Sequence, residues 1–316
     1  MTAPPDPKFI LRGNMDENVY SLLFNSNVKH LYAGDGKGIV HIWDLKINRI
    51  KYQLSNGSSP CFNLHATNEA DLIVQRRHGT VDVYNVNESS WTLSRSIDYK
   101  YCSFCRSQLL PEKKALLVPL DSSVVGILSL STFNIEFMLD PSKLSYGDKL
   151  GTVMAIKPVT EELILVAYEG GRLLLWDIKR NSIISSLLAQ EYPTTFDFDV
   201  SLMQGIIGSA SDKLEIFNMS SDHTLFHKFD KHVDYVTGTS VLRVRPDKKI
   251  VAAGFWDGRI MLFSWKKLRP LAILNEHRDT VHDIIYSSCQ VETYDTKYLM
   301  AATGKDGYIS LWDIYK

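Results

Sequence analysis

Gly304-Lys305-Asp306-Gly307-Tyr308-Ile309-Ser310-Leu311-Trp312-Asp313 is a polar turn, an apolar run and then Trp-Asp. The same order occurs in Gly171-Arg172-Leu173-Leu174-Leu175-Trp176-Asp177 and in Gly38-Ile39-Val40-His41-Ile42-Trp43-Asp44. Each reads as a tight turn feeding a buried strand.

Weaker copies lie between these three. Residues 79–85 end in Tyr84-Asn85, 212–218 in Phe217-Asn218 and 257–264 in Phe263-Ser264, while 124–129 put Leu128 at the aromatic position. The seven marked positions, 43, 84, 128, 176, 217, 263 and 312, recur every 41 to 49 residues. A WD repeat has a period of about 40–45 residues, with loop insertions. The chain is therefore expected to be all-β, a single seven-bladed WD40 β-propeller over 1–316.

The ends fit this reading. Too few residues follow Trp312 for an outer strand in the seventh blade. Residues 8–12, Lys8-Phe9-Ile10-Leu11-Arg12, form a strand that can pair there and cover a sheet edge, after a short tail over 1–7. The first blade reads as strands over 19–24, 29–34, 39–45 and 50–54, with polar turns at 25–27 and 56–60. Residues 140–149 and 290–296 are the largest expected loops.

Composition narrows the function. The 316 residues are 45% hydrophobic, and 35 basic residues face 36 acidic ones for a net charge of −1. This balance argues against a dedicated nucleic-acid binder. No apolar stretch approaches the roughly 18 residues of a membrane span. The first seven residues carry no apolar region of a secretory signal, so an intracellular chain is expected. Four cysteines are too few for a disulfide framework. A monomeric propeller without cofactor or metal is expected.

WD blades often link a His before the inner strand, an Asp in the turn before the third strand, and the Trp. That linkage satisfies buried polar groups rather than catalysing a reaction. Blade seven offers the full set, His277, Asp306 and Trp312. Blade six offers His232 and Asp257, but with Phe263. Trp43 and Trp176 are structural anchors. Blades one to four place Lys37, His78, Ser122 and Gly170 at the Asp position, so the network is expected to fail there. Cys102-Ser103-Phe104-Cys105 lacks the second ligand pair of a zinc site and falls in an expected inner strand over 99–106. Gly34-Asp35-Gly36-Lys37-Gly38 leads into a strand and is not a phosphate loop. No catalytic signature is found, so an enzyme is not expected.

Partner contact is expected on the rim formed by the turns before the third strands. Phe255 and Trp256 would lie at its centre, with Arg76, Arg77, Tyr168 and Lys305 around them. Binding residues concentrate on loops of a rigid scaffold. A large aromatic with charges around it suits an interface.

Several stretches are more specific than Trp-Asp. They are Met1-Thr2-Ala3-Pro4-Pro5-Asp6-Pro7 running into Lys8-Phe9-Ile10-Leu11-Arg12-Gly13, Phe104-Cys105-Arg106-Ser107, Ala167-Tyr168-Glu169-Gly170-Gly171, Asp197-Phe198-Asp199, Arg245-Pro246-Asp247-Lys248-Lys249-Ile250, and Ile309-Ser310-Leu311-Trp312-Asp313-Ile314-Tyr315. Through them the chain resembles the guanine nucleotide-binding protein subunit beta-like protein 1 family, related to the fungal Astra-associated protein 1. The resemblance implies a cytoplasmic and nuclear adaptor for the chaperone machinery that matures phosphatidylinositol-3-kinase-related kinases, including the Tel-two/Tti complex and the Astra assembly. Two alternatives are a substrate receptor of a cullin ubiquitin ligase and a G-protein-β-like signalling scaffold. The first would favour W-D-x-R, but Lys46 and Lys179 stand at the Arg position, and Lys lacks the bidentate fork. The second would need a long helix before the first strand, where only about seven residues stand.

Overall fold

The computed structural model describes the chain except for residues 1–4, 14–17, 56–58, 68–70, 87–89, 145–149, 235 and 316. Its strands form seven four-stranded antiparallel sheets, each a blade of a seven-bladed β-propeller. Blade 1 consists of Val19–Phe24, His30–Asp35, Ile39–Asp44 and Arg49–Ser55. Blades 2 to 6 span 61–98, 108–139, 153–188, 193–232 and 239–274.

Blade 7 takes three strands from one end of the chain and one from the other. Val281–Tyr286, Met300–Gly304 and Ile309–Trp312 are completed by Phe9–Leu11. Phe9 pairs with Leu311, Ile10 with Ser310 and Leu11 with Ile309. The Lys8 N–H donates to the Leu311 carbonyl at 2.7 Å.

Burial explains the sequence pattern. Second and third strands of a blade are covered on both faces, so they read as nearly continuous apolar runs rather than alternating ones. Ile164 to Tyr168 and Leu173 to Trp176 are all buried. Outer strands meet solvent, and Arg49–Ser55 alternates exposed with half-buried residues. All seven residues at the repeat's aromatic position, including Leu128, are buried in third strands.

The chain divides into two compact units, 1–96 with 240–316, and 97–239. In the first, Leu11, Trp43, Leu45, Leu299 and Ile309 share one core cluster, and Trp312 joins Ile260 and Val281 in another. In the second, Tyr168 and Trp176 pack with Leu117 and Ile164, and Phe217 packs with Phe196 and Phe198. No described helix is long and apolar enough to cross a membrane.

One local expectation changes. Residues 99–106 are not a strand; the inner strand of blade 3 is Gln108–Leu110. The 290–296 segment carries a short 3-10 turn, Glu292–Tyr294, clasped by a Val291–Thr296 bridge.

Candidate interaction surface

Blade 7 contains a four-member polar chain. His277 Nδ1 lies 3.0 Å from Asp306 Oδ2, and its Nε2 lies 2.8 Å from Ser310 Oγ. Trp312 Nε1–H donates to the same hydroxyl at 2.8 Å. One proton arrangement satisfies every member. The indole N–H donates to Ser310, Ser310 donates to His277 Nε2, and His277 Nδ1–H donates to Asp306. The set His277, Asp306 and Trp312 is therefore joined, with Ser310 as the link that sequence reasoning missed. Its signal was available: residues two apart on a strand share a face. With both ring nitrogens engaged and the side chain buried, His277 holds structure together.

The same position, two residues before the third-strand aromatic, carries the polar network of other blades. In blade 1, His41 lies 2.8 Å from Asp35 and 3.1 Å from Gln53, with His41 and Asp35 both buried. In blade 2, Asp82 accepts from Arg76 Nε and, at 2.6 Å, from Ser96. In blade 5, Glu215 accepts the Gln190 N–H at 2.8 Å. Neither blade 1 nor blade 2 links a His and an Asp to its aromatic, and Trp43 Nε1 has no partner among the described residues; different pairs occupy the place of the network. Trp43 and Trp176 are buried, and Trp176 Nε1–H donates to the Tyr168 hydroxyl at 3.3 Å.

These contacts remove several residues from the expected rim. Tyr168 is 0% exposed and Phe255 1%, each the last residue of a second strand, with its side chain inside the blade. Arg76 ends the second strand of blade 2 and is 3% exposed. Its Nε donates to Asp82 and its Nη1 to the carbonyls of Gly38, at 2.9 Å, and Ser59, at 3.1 Å. Arg77 follows it in the turn and is half-buried. The blade-six pair also changes. His232 ends the outer strand of blade 5, exposed and 3.5 Å from Asp212. Asp257 is held instead by Arg259, whose Nε donates at 2.7 Å.

Trp256 and Lys305 remain on the surface, on one continuous patch of blades 6 and 7. Trp256 is 40% exposed. Its carbonyl accepts from Thr280 Oγ1 at 3.1 Å, and the Thr280 carbonyl accepts the Lys305 N–H at 2.9 Å. Lys305 Nζ lies 3.3 Å from Asp279. Thr280 and Asp279 are the patch members that the sequence did not mark. The turn that lifts Trp256 outward depends on Gly258 at φ +88°, where an added Cβ would sit 2.5 Å from the His277 carbonyl oxygen. Indole, ammonium and carboxylate thus meet on three adjoining loops, a mixture of groups common in protein interfaces.

No group of three or more His, Cys, Asp or Glu residues among the described residues is arranged to hold a metal ion. In the C-x-x-C segment, Cys102 is exposed and Cys105 buried, with burial raising the Cys105 thiol.

Residues 5–44 match the family described as WD domain, G-beta repeat. Over 330 aligned residues the chain is 30% identical to mouse guanine nucleotide-binding protein subunit beta-like protein 1, covering 99% of this chain and 97% of that one. The chain belongs to the guanine nucleotide-binding protein subunit beta-like protein 1 family. This beta-like protein 1 family member is also 25% identical to the ASTRA-associated protein 1 of Schizosaccharomyces pombe, over 98% of this chain and 99% of the relative. Among solved structures, the Cps50 (Swd1) β-propeller domain of Myceliophteria thermophila is similar, with a TM-score of 0.81 at 16% identity. It covers 99% of this chain and 100% of that one, a likeness of fold. A WD-repeat propeller of this family is a scaffold suited to an adaptor role.

Proposed function

We propose that the chain is a non-enzymatic adaptor in the chaperone-dependent maturation of phosphatidylinositol-3-kinase-related kinases. It acts in cytoplasm and nucleus with the Tel-two/Tti and Astra machinery, and Trp256 anchors one contact. The observation that carries this reading is end-to-end similarity to proteins named ASTRA-associated protein 1. The exposed indole beside Lys305 and Asp279 gives the adaptor a place to bind. The buried, fully bonded His277 supports the non-enzymatic part.

Tagged wild type and Trp256→Ala are purified from cells and co-purifying proteins identified, with melting temperature measured in parallel. Wild type is expected to recover kinase-maturation factors. Trp256→Ala should fold normally and lose them, since an anchoring Trp contributes about 2 kcal/mol or more, roughly thirtyfold in affinity. Recovery of cullin adaptors or G-protein γ subunits instead refutes the pathway. Unchanged recovery by a folded Trp256→Ala refutes the anchor.

A further inference from the structure

A second surface lies at the other end of the blade-7 strand that leads to Lys305. Between the turns of blade 1 and the 290–296 segment of blade 7 runs a half-open cleft of about 690 Å³. Residues 27–30 and 44–46 and Lys51 form one wall, and 290–293 form the other. Behind the lining Val28, Leu45 and Val291 are buried in one core cluster, so the surface the cleft offers is mainly polar and charged. The walls are tied together. Tyr294 Oη donates to Asn48 Oδ1 at 2.6 Å, which fixes the blade-7 segment against the turn after the third strand of blade 1.

The cleft is basic at its mouth. Lys29, Lys46 and Lys51 are exposed, stand on three separate segments, and form no ion pair among the described residues. His30 lies between them, half-buried. Burial first, then the neighbouring Lys51, holds its pKa below the ordinary value, which fits a locally positive site. Two carboxylates share the lining. Asp44 accepts the Lys46 N–H at 2.8 Å, and Glu292 is exposed on the opposite wall. The lining thus carries three ammonium groups outside any described ion pair against two carboxylates, with Lys51 Nζ also 5.6 Å from the Tyr52 ring centroid.

We infer that this cleft docks an acidic peptide segment of a partner protein. The segment's Asp and Glu residues would meet Lys29, Lys46 and Lys51 at the mouth of the cleft. Ammonium groups on flexible stems suit dispersed carboxylates, whereas bidentate phosphate recognition favours Arg. The described lining contains no Phe, Tyr or Trp side chain on which a base could stack, and His30 is half-buried. The surface is separate from Trp256, so an adaptor could engage two partner segments at once.

The test uses the full chain and a fluorescein-labelled peptide of about twelve residues alternating Asp or Glu with Ser, followed by anisotropy. Binding is expected at about 50 mM salt and should weaken markedly by about 300 mM. The charge-reversed triple variant Lys29→Glu, Lys46→Glu, Lys51→Glu should lose at least tenfold in affinity. These side chains are exposed, so its melting temperature should stay near wild type. The single variants Lys46→Gln and Lys51→Gln, each expected to lose about threefold, provide an independent reading. Trp256→Ala should bind the peptide normally, which separates this site from the adaptor contact. Equal binding by the variants, or by an Asn/Gln version of the peptide, overturns the proposal. So does tighter binding of a single-stranded oligonucleotide of equal charge in the same cleft.

Discussion

Replacing Ser310 with Ala tests the polar chain of blade 7 at its missing link. The Ser310 hydroxyl serves two buried neighbours at 2.8 Å each, the Trp312 indole N–H and His277 Nε2. Alanine leaves a donor and an acceptor unpaired, each at a desolvation cost of about 1–3 kcal/mol. One buried hydroxyl no longer has to be satisfied, so a net loss of about 3 kcal/mol is expected. At roughly 2.1 cal/mol/K of unfolding entropy per residue, that corresponds to a melting point about 5 °C lower. Urea titration followed by far-UV circular dichroism gives the free energy without relying on tryptophan fluorescence. The cycle of Ser310→Ala, Trp312→Phe and the double variant isolates the Ser–Trp bond, with an expected coupling of about 1 kcal/mol. A Ser310→Ala loss below about 0.5 kcal/mol, or a coupling of zero, would refute the chain of bonds inferred for this blade.

Three other outcomes follow from the same contacts. Leu11→Ala should cost about 2–5 kcal/mol in a denaturant titration, because Leu11 is fully buried in the strand that completes blade 7. Gly205→Ala should cost about 1–3 kcal/mol, since the new Cβ would stand 2.1 Å from the Phe217 ring; an unchanged unfolding midpoint would contradict the packing. Burial acts to raise the Asp306 pKa, but the hydrogen bonds from His277 and from the Arg278 and Tyr308 N–H groups outweigh it and hold the folded value below the ordinary 3.8. The stabilising contribution is thus complete above the unfolded pKa and is lost as pH falls through the lower folded one. Wild type should exceed Asp306→Asn by about 1.5–3 kcal/mol near pH 6, and the gap should close below about pH 4, as read by paired pH-dependent melts.

The fold was legible because its signal is repeated. Seven third strands carry the same buried position, and the first strand of blade 1 has the expected bounds, Val19–Phe24. The surface was less legible because it turns on single-residue shifts. Phe255 and Trp256 are neighbours, yet one closes a strand inside the blade and the other opens the turn outside it. Arg76 and Tyr168 were expected outside for the same reason. A one-residue step along a strand reverses the face, and no local composition marks where the strand stops. The replacement networks at His41, Asp82 and Glu215 were hidden differently. Blades 1, 2 and 5 fill that position with different residues, and even the His and Asp of blade 1 stand at other places in the repeat, so a search at the usual spacing passes over them. Ser310 shows that alternation itself held the clue.

The pairing of Phe9–Leu11 with Ile309–Trp312 has a consequence for biosynthesis. Of these two strands, the one that leaves the ribosome first waits for the other to be made. At roughly 5–20 residues per second, the ~300 residues between them take about 15–60 s to synthesise. Throughout that interval Leu11 lacks its native pairing, and the edge it will cover does not yet exist. Contacts this distant in sequence form slowly even in a complete chain, because loop closure precedes any gain from packing. Nascent-chain proteolysis should therefore find the amino-terminal segment cleavable until residue 312 has cleared the exit tunnel.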